Sequence, residues 1–158
     1  MLILGIDVGL SGALAFLHDG DLLNVQDLPL VAIGHGSGSR QEMSPELLHD
    51  MLVHTEIRIG LAVVEDVNAF GMGRTSAYRF GKNVGQIEGV LAACGIRTVK
   101  VTPQRWKKAM GLGADKALSR AAAIKLWPDQ SQYFARVKDD GRAEAALLAE
   151  WGRKTHER

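Results

Sequence analysis

The chain predicts an α/β domain built on a mixed five-stranded sheet, and three observations predict it. Apolar strand-like runs lead the first half of the chain, and helical periodicity dominates the second. Two early runs are joined by Asp19-Gly20-Asp21, a hairpin turn, whereas each later strand is reached through a helix. At 158 residues, 46% hydrophobic and 23% charged, the chain can fill one sizeable core but not two, so residues 1–158 read as one domain.

Leu2 to Val8 is a near-continuous apolar strand in which only Asp7 is charged, and Gly9 and Gly12 bound it. Gly12 to His18 and Leu22 to Leu28 follow as strands, so the first three strands are antiparallel. Ala32 to Met43, with Gly34, Gly36, Ser37, Gly38 and Ser39, reads as a long polar surface connection. Ser44-Pro45-Glu46 starts a helix to about Glu56, with Ser44 as its N-cap and an apolar face of Leu47, Leu48, Met51 and Leu52. Ile59 to Val64 is a short buried strand that runs straight into Glu65-Asp66. Gly71 and Gly73 form a joint before a long helix, Ser76 to Cys94, with Phe80, Val84, Ile87, Val90 and Leu91 on one face and Gly95 as its stop. Thr98 to Val101 is the fifth strand. Pro103 begins a short helix through Trp106 and Met110, and a second helix spans Asp115 to Leu126 until Pro128 ends it. Asp129 to Val137 carries no clear pattern, and an alanine-rich helix closes the chain from Lys138 to Ala149.

Cys94 is the only cysteine, which excludes an internal disulfide and suits a reducing, cytoplasmic setting. No basic segment precedes the first apolar run, no stretch is long enough to span a bilayer, and no motif calls for a small-molecule cofactor. The net charge of +1 hides a strong asymmetry. Residues 1–69 hold two basic residues against ten acidic, and residues 70–158 hold seventeen against eight, so the halves carry −8 and +9. That polarity points to a polyanion for the second half, although part of it is met by the halves neutralising each other.

An ionised carboxylate on a buried strand must be paired, hydrogen-bonded or bound to a cation, and Asp7 has no such partner in its own segment. Capping the glycine turn would satisfy it equally well. Glu65 repeats the situation at the end of a second core strand. If the two strands are neighbours, both acids point into one crevice, and Asp140 and Glu144, four apart on the last helix, can be brought to the same place. Asp139 and Asp140 cannot both face that way. Such a cluster would repel itself in water, and it makes sense as an oxygen cage for Mg²⁺, with Mn²⁺ as a substitute. The five histidines show no ligand spacing.

Gly5-Ile6-Asp7-Val8-Gly9, Val63-Val64-Glu65, Gly85-Gln86-Ile87-Glu88-Gly89 and Asp140-Gly141-Arg142-Ala143-Glu144-Ala145 together resemble the RuvC-type Holliday-junction resolvases, especially phage-type members. The similarity spans about residues 2 to 150. It implies a ribonuclease-H-like fold and a homodimeric endonuclease that makes paired nicks across four-way or branched DNA. It also implies two Mg²⁺ ions per site held by Asp7, Glu65, Asp140 and Glu144, with Lys116 near the scissile phosphate. Better-known bacterial members carry Asp-x-x-Asp in the last helix, whereas this chain has Asp140-x-x-x-Glu144, with Asp139 as the other possible ligand. Other ribonuclease-H-like nucleases, acting on RNA-DNA hybrids or in transposition, share such a cluster and are the runner-up, followed by a non-catalytic junction binder. The Gly5 to Gly12 turn also resembles the first phosphate loop of actin-like ATPases and sugar kinases, but those need two such domains.

Arg74, Arg79, Lys82, Lys107, Lys108 and Arg120 cluster near glycines and helix starts, where they suit phosphate contacts, with a solvated helix face as the plain alternative for Lys107 and Lys108. Phe70 is placed to wedge between bases at a branch point, although anchoring its loop on the core is the preferred reading. Trp106, Trp127 and Trp151 read as core or dimer surface, and the long helix is the candidate dimer surface.

Overall fold

The computed structural model describes residues 1–9, 11–34, 40–113 and 115–156, apart from the Lys116 side chain. In chain order they form β1 (Leu2–Ile6), β2 (Ala13–His18), β3 (Asp21–Asp27), β4 (Leu30–Ile33), β5 (Arg40–Met43), α1 (Pro45–Val53), β6 (Ile59–Glu65), α2 (Arg74–Ala93), β7 (Thr98–Val101), α3 (Pro103–Ala109) and α4 (Lys116–Leu126). Two 3₁₀ segments, Pro128–Phe134 and Val137–Asp139, then lead into α5 (Asp140–His156). Five strands make one sheet in the order β3-β2-β1-β6-β7. The pairs β1/β2 and β2/β3 are antiparallel, and β1/β6 and β6/β7 are parallel. This is the mixed five-stranded α/β sheet that the strand and helix order predicts.

β1 is buried on both faces because it lies mid-sheet with helices on either side, which is why its sequence is continuous rather than alternating in polarity. Its alternate residues feed two cores. Leu2, Leu4 and Ile6 pack with Leu48, Ile87 and Leu91 of α1 and α2. On the other face Ile3 packs with Leu61 and Val63 of β6 and with the alanine-rich α5. Small residues let α5 approach closely: a Cβ on Gly5 would collide with the Ala145 carbonyl. The helix runs past the expected Ala149 to His156, because Trp151 and Gly152 continue its buried face.

The expected glycine-rich connection is corrected at its flanks. Leu30–Ile33 and Arg40–Met43 pair as an antiparallel ribbon, from Leu30 opposite Met43 to Ile33 opposite Arg40, while 35–39 lie outside the described residues. The glycines and serines dominate the composition of this stretch, but the residues on either side of them alternate well enough to pair. The ribbon rests on α2, where Arg79 donates to the Gln41 carbonyl and Lys82 to Glu42. No described helix is long and apolar enough to cross a membrane.

Candidate active site

The register of the sheet brings the first two acids together. β1 and β6 are parallel neighbours with Ile6 opposite Val64, so Asp7 and Glu65, one position further on, emerge side by side at the carboxyl ends of the two strands. Both follow the parity of Ile3 and Leu61, whose side chains face α5. Glu144 lies one turn into α5 and is 5% exposed. Asp7, Glu65 and Glu144 line a single cavity of about 290 Å³, with Val8, Gly9, Ser11, Val67, Phe80, Pro103 and Lys107 completing its wall.

Each carboxylate has a distinct setting. Asp7 accepts from the Gly9 amide at 3.3 Å, and its other oxygen lies so near the start of α5 that a Cβ on Gly141 would stand 2.9 Å from it. Glu65 accepts from the indole N–H of Trp106 at 2.8 Å. Burial pushes the Glu65 carboxyl up, and the negative charges of Asp7 and Glu144 push it further. The Trp106 hydrogen bond and Lys107 oppose that rise, and the outcome is about 7. Glu144 receives Lys107 Nζ at 2.6 Å and the Ser119 hydroxyl at 3.4 Å on the same oxygen. Asp140, the fourth expected member, forms an ion pair with Arg120 at 2.9 Å and does not line the cavity. Asp139 is turned elsewhere: it is 2% exposed and clasped by the Arg136 guanidinium at 2.7 Å and by the Arg136 amide at 2.8 Å.

Among the described residues, no three acidic, histidine or cysteine side chains are gathered into a ready-made cation cage. Three of these carboxylates meet protein partners: Glu65 meets Trp106, Glu144 meets Lys107 and Asp140 meets Arg120. In kind, the donor set fits a hard divalent cation. It is all oxygen and it surrounds one cavity, where among the described residues three acids stand with one lysine.

The remaining expected residues divide. Lys107 is not on a solvated face; its side chain is 15% exposed and enters the cavity. Arg74 and Lys108 are exposed, whereas Arg79 and Lys82 are engaged by the ribbon and Arg120 by Asp140. Lys116 opens α4, but its side chain lies outside the described residues. The preferred reading of Phe70 as a loop anchor is overturned: the ring is 92% exposed, because the segment between β6 and α2 runs along the surface and leaves it nothing to pack on. Trp106 and Ser119 are additions that sequence reasoning missed. Trp106 shows only as an apolar residue on a short helix, and nothing local says that its N–H meets Glu65, 41 positions away.

No protein-family model matches the chain. Over an alignment of 86 residues that covers 51% of this chain, it is 38% identical to the chloroplastic Holliday junction resolvase MOC1 of Chlamydomonas reinhardtii. The match covers 9% of that protein, so the chain spans about a tenth of the length of the curated relative it matches. Among solved structures, T. thermophilus RuvC in complex with a Holliday junction substrate superposes with a TM-score of 0.63 at 16% identity, covering 99% of this chain and 96% of that one. A second Thermus thermophilus RuvC structure gives 0.57 at 15% identity, with 98% and 96% covered. The fold is therefore the one RuvC has, over essentially the whole chain.

Proposed function

We propose that this chain is a divalent-metal-dependent endonuclease that resolves four-way or other branched DNA by paired nicks, working as a homodimer. One observation carries the reading: carboxylates from β1, β6 and α5, far apart in sequence, line one cavity with a lysine among them. The RuvC fold and the stretch shared with a Holliday junction resolvase support it.

In this reading Asp7, Glu65 and Glu144 hold the cation, Mg²⁺ or Mn²⁺ and two of them per site, and Asp140 joins by exchanging Arg120. The cation supplies an activated water and offsets charge on the departing oxygen of the phosphodiester. The protein's own groups do the rest. Lys107, released from Glu144, meets a phosphate oxygen and steadies the backbone in the cavity, and Lys116 offsets the negative charge that develops on the phosphate. Arg74 and Lys108, exposed on nearby helices, grip phosphates outside the cavity and set orientation. Phe70, projecting into solvent, stacks on or parts bases at the branch point. A four-way junction has approximate two-fold symmetry, so a two-fold dimer presents two cavities to two strands. The outer side of α2 suits that contact, with Tyr78 73% exposed and open space beside Gly81, Gly85 and Gly89.

The test is to incubate the protein and Mg²⁺ with four-way, flap, duplex and RNA-DNA hybrid substrates and to map the nicks. Symmetric nicks in the four-way substrate alone are expected. Cleavage of the hybrid would move the reading to another ribonuclease-H-like nuclease, and binding without nicks would leave a junction-binding protein.

A further inference from the structure

Trp106 is fully buried behind the wall of the carboxylate cavity and is not itself part of that wall. Its place is fixed from both ends. Pro103 starts α3, and the Trp106 amide donates to the Thr102 carbonyl at 3.2 Å, locking the first turn. The indole N–H then reaches Glu65 Oε1 at 2.8 Å, and the Lys107 ammonium stands 5.2 Å from the centre of its ring. A glutamate has three rotatable bonds and would ordinarily rotate to present one or both oxygens as a ligand requires. Here one oxygen is drawn into the core. The other takes no hydrogen bond from the described residues, on a side chain that lines the cavity.

Divalent cations differ in what they ask of such a group. Ca²⁺ accepts six to eight oxygens and often takes both oxygens of one carboxylate, whereas Mg²⁺ demands a small octahedral set, keeps several waters and binds through single carboxylate oxygens. We propose that Trp106 sets the cation preference of this cavity: by holding one oxygen of Glu65 in the core, its N–H leaves a single, rigidly aimed oxygen for the cation, which favours Mg²⁺ and Mn²⁺ over Ca²⁺. Trp106 is thus a positioning residue acting through Glu65. The inference rests on the cation-holding role of the cavity proposed above.

The experiment reads binding rather than cleavage. Mn²⁺ bound to the DNA-free protein is followed by electron paramagnetic resonance, and Mg²⁺ and Ca²⁺ are titrated in as competitors. Two replacements of Trp106 are compared with the natural protein. Trp106→Phe keeps an aromatic face for Lys107 and loses the N–H. Site-specific β-(3-benzothienyl)alanine keeps the ring volume and puts sulfur in place of the N–H, so it covers the case in which the smaller Phe fails to fold. In both, Ca²⁺ should improve as a competitor relative to Mg²⁺ by about tenfold, within the range for residues that support metal ligands. A ratio that moves less than about twofold in a replacement that melts like the natural protein overturns the role given to Trp106. Asp7→Asn separates this result from failure of the underlying reading. If Asp7→Asn abolishes Mn²⁺ binding and the Ca²⁺/Mg²⁺ ratio ignores Trp106, only the inference falls. If Mn²⁺ binding survives Asp7→Asn, the cavity is not the cation site and both fall.

Discussion

Two cavities flank the turn at Gly9, Ser11 and Gly12, and Ser11 lines both, yet they treat their acids in opposite ways. In the first, Asp7, Glu65 and Glu144 line one wall with Lys107, which bonds Glu144 at 2.6 Å. In the second, Asp27 and Asp139 are matched one for one, Asp27 by Arg142 at 2.7 Å and Asp139 by Arg136. The consequence is visible in their proton affinities. The Arg142 hydrogen bond holds the Asp27 carboxyl below its usual range, and although burial pushes Asp139 up, Arg136 outweighs it and holds that group low too. Glu65 goes the other way, to about 7. The same residue types therefore sit in two settings, and their proton affinities tell them apart: arginine partners hold Asp27 and Asp139 low, whereas burial beside two other acids holds Glu65 high.

The largest effect that can break this comparison is on cleavage. Asp7→Asn should abolish Mg²⁺-dependent nicking of a four-way junction, a loss on the order of a thousandfold or more, while gel-shift binding in Ca²⁺ persists. Retained cleavage would remove the first cavity from the chemistry. Next comes the opposite cavity. Asp139→Asn removes the buried carboxylate that accepts from the Arg136 amide and guanidinium, so it should lower stability by about 2 kcal/mol in urea unfolding and leave Mn²⁺ affinity unchanged. A change in Mn²⁺ affinity would mean that Asp139 belongs with the ligands.

A smaller and opposite stability effect is expected at Glu65. Its folded-state pKa lies above the ordinary glutamate value of 4.5, so the folded protein holds a proton that the unfolded chain has lost, and stability falls as pH rises from about 4.5 to about 7. In metal-free protein Glu65→Gln should therefore raise stability at pH 8 by about 1–2 kcal/mol and make little difference at pH 5, read from melting temperatures at the two pH values. Equal effects at both would show that Glu65 is no less compensated than Asp139. The smallest effect is at Lys107. Lys107→Gln takes away the protein cation that competes for Glu144, so Mn²⁺ should bind the DNA-free protein several-fold tighter, on the order of 1 kcal/mol, even as nicking slows. Weaker Mn²⁺ binding would assign Lys107 to building the site rather than filling it.

The architecture was legible in the sequence because its signals are local. A strand buried on both faces must be continuously apolar, Ser44-Pro45 caps a helix by its own chemistry, and a hairpin is written in Asp19-Gly20-Asp21. The ribbon was hidden because its ladder depends on pairing across residues 35–39, not on the composition between. Asp7 and Glu65 stood out as charges that apolar strands could not absorb, so burial cost marked them before any contact was known, whereas Glu144 was marked by its spacing from Asp140 and by the family resemblance. What the sequence left open was which protein group each acid meets. Arg136 neutralises Asp139 from three residues away, Arg120 reaches Asp140 from α4, and Trp106 and Lys107 come from α3 to Glu65 and Glu144. Identity and spacing fix where a charge sits along the chain. Asp139 apart, whether it is compensated depends on distances between groups far apart in sequence, and those exist only once the helices have packed on the sheet.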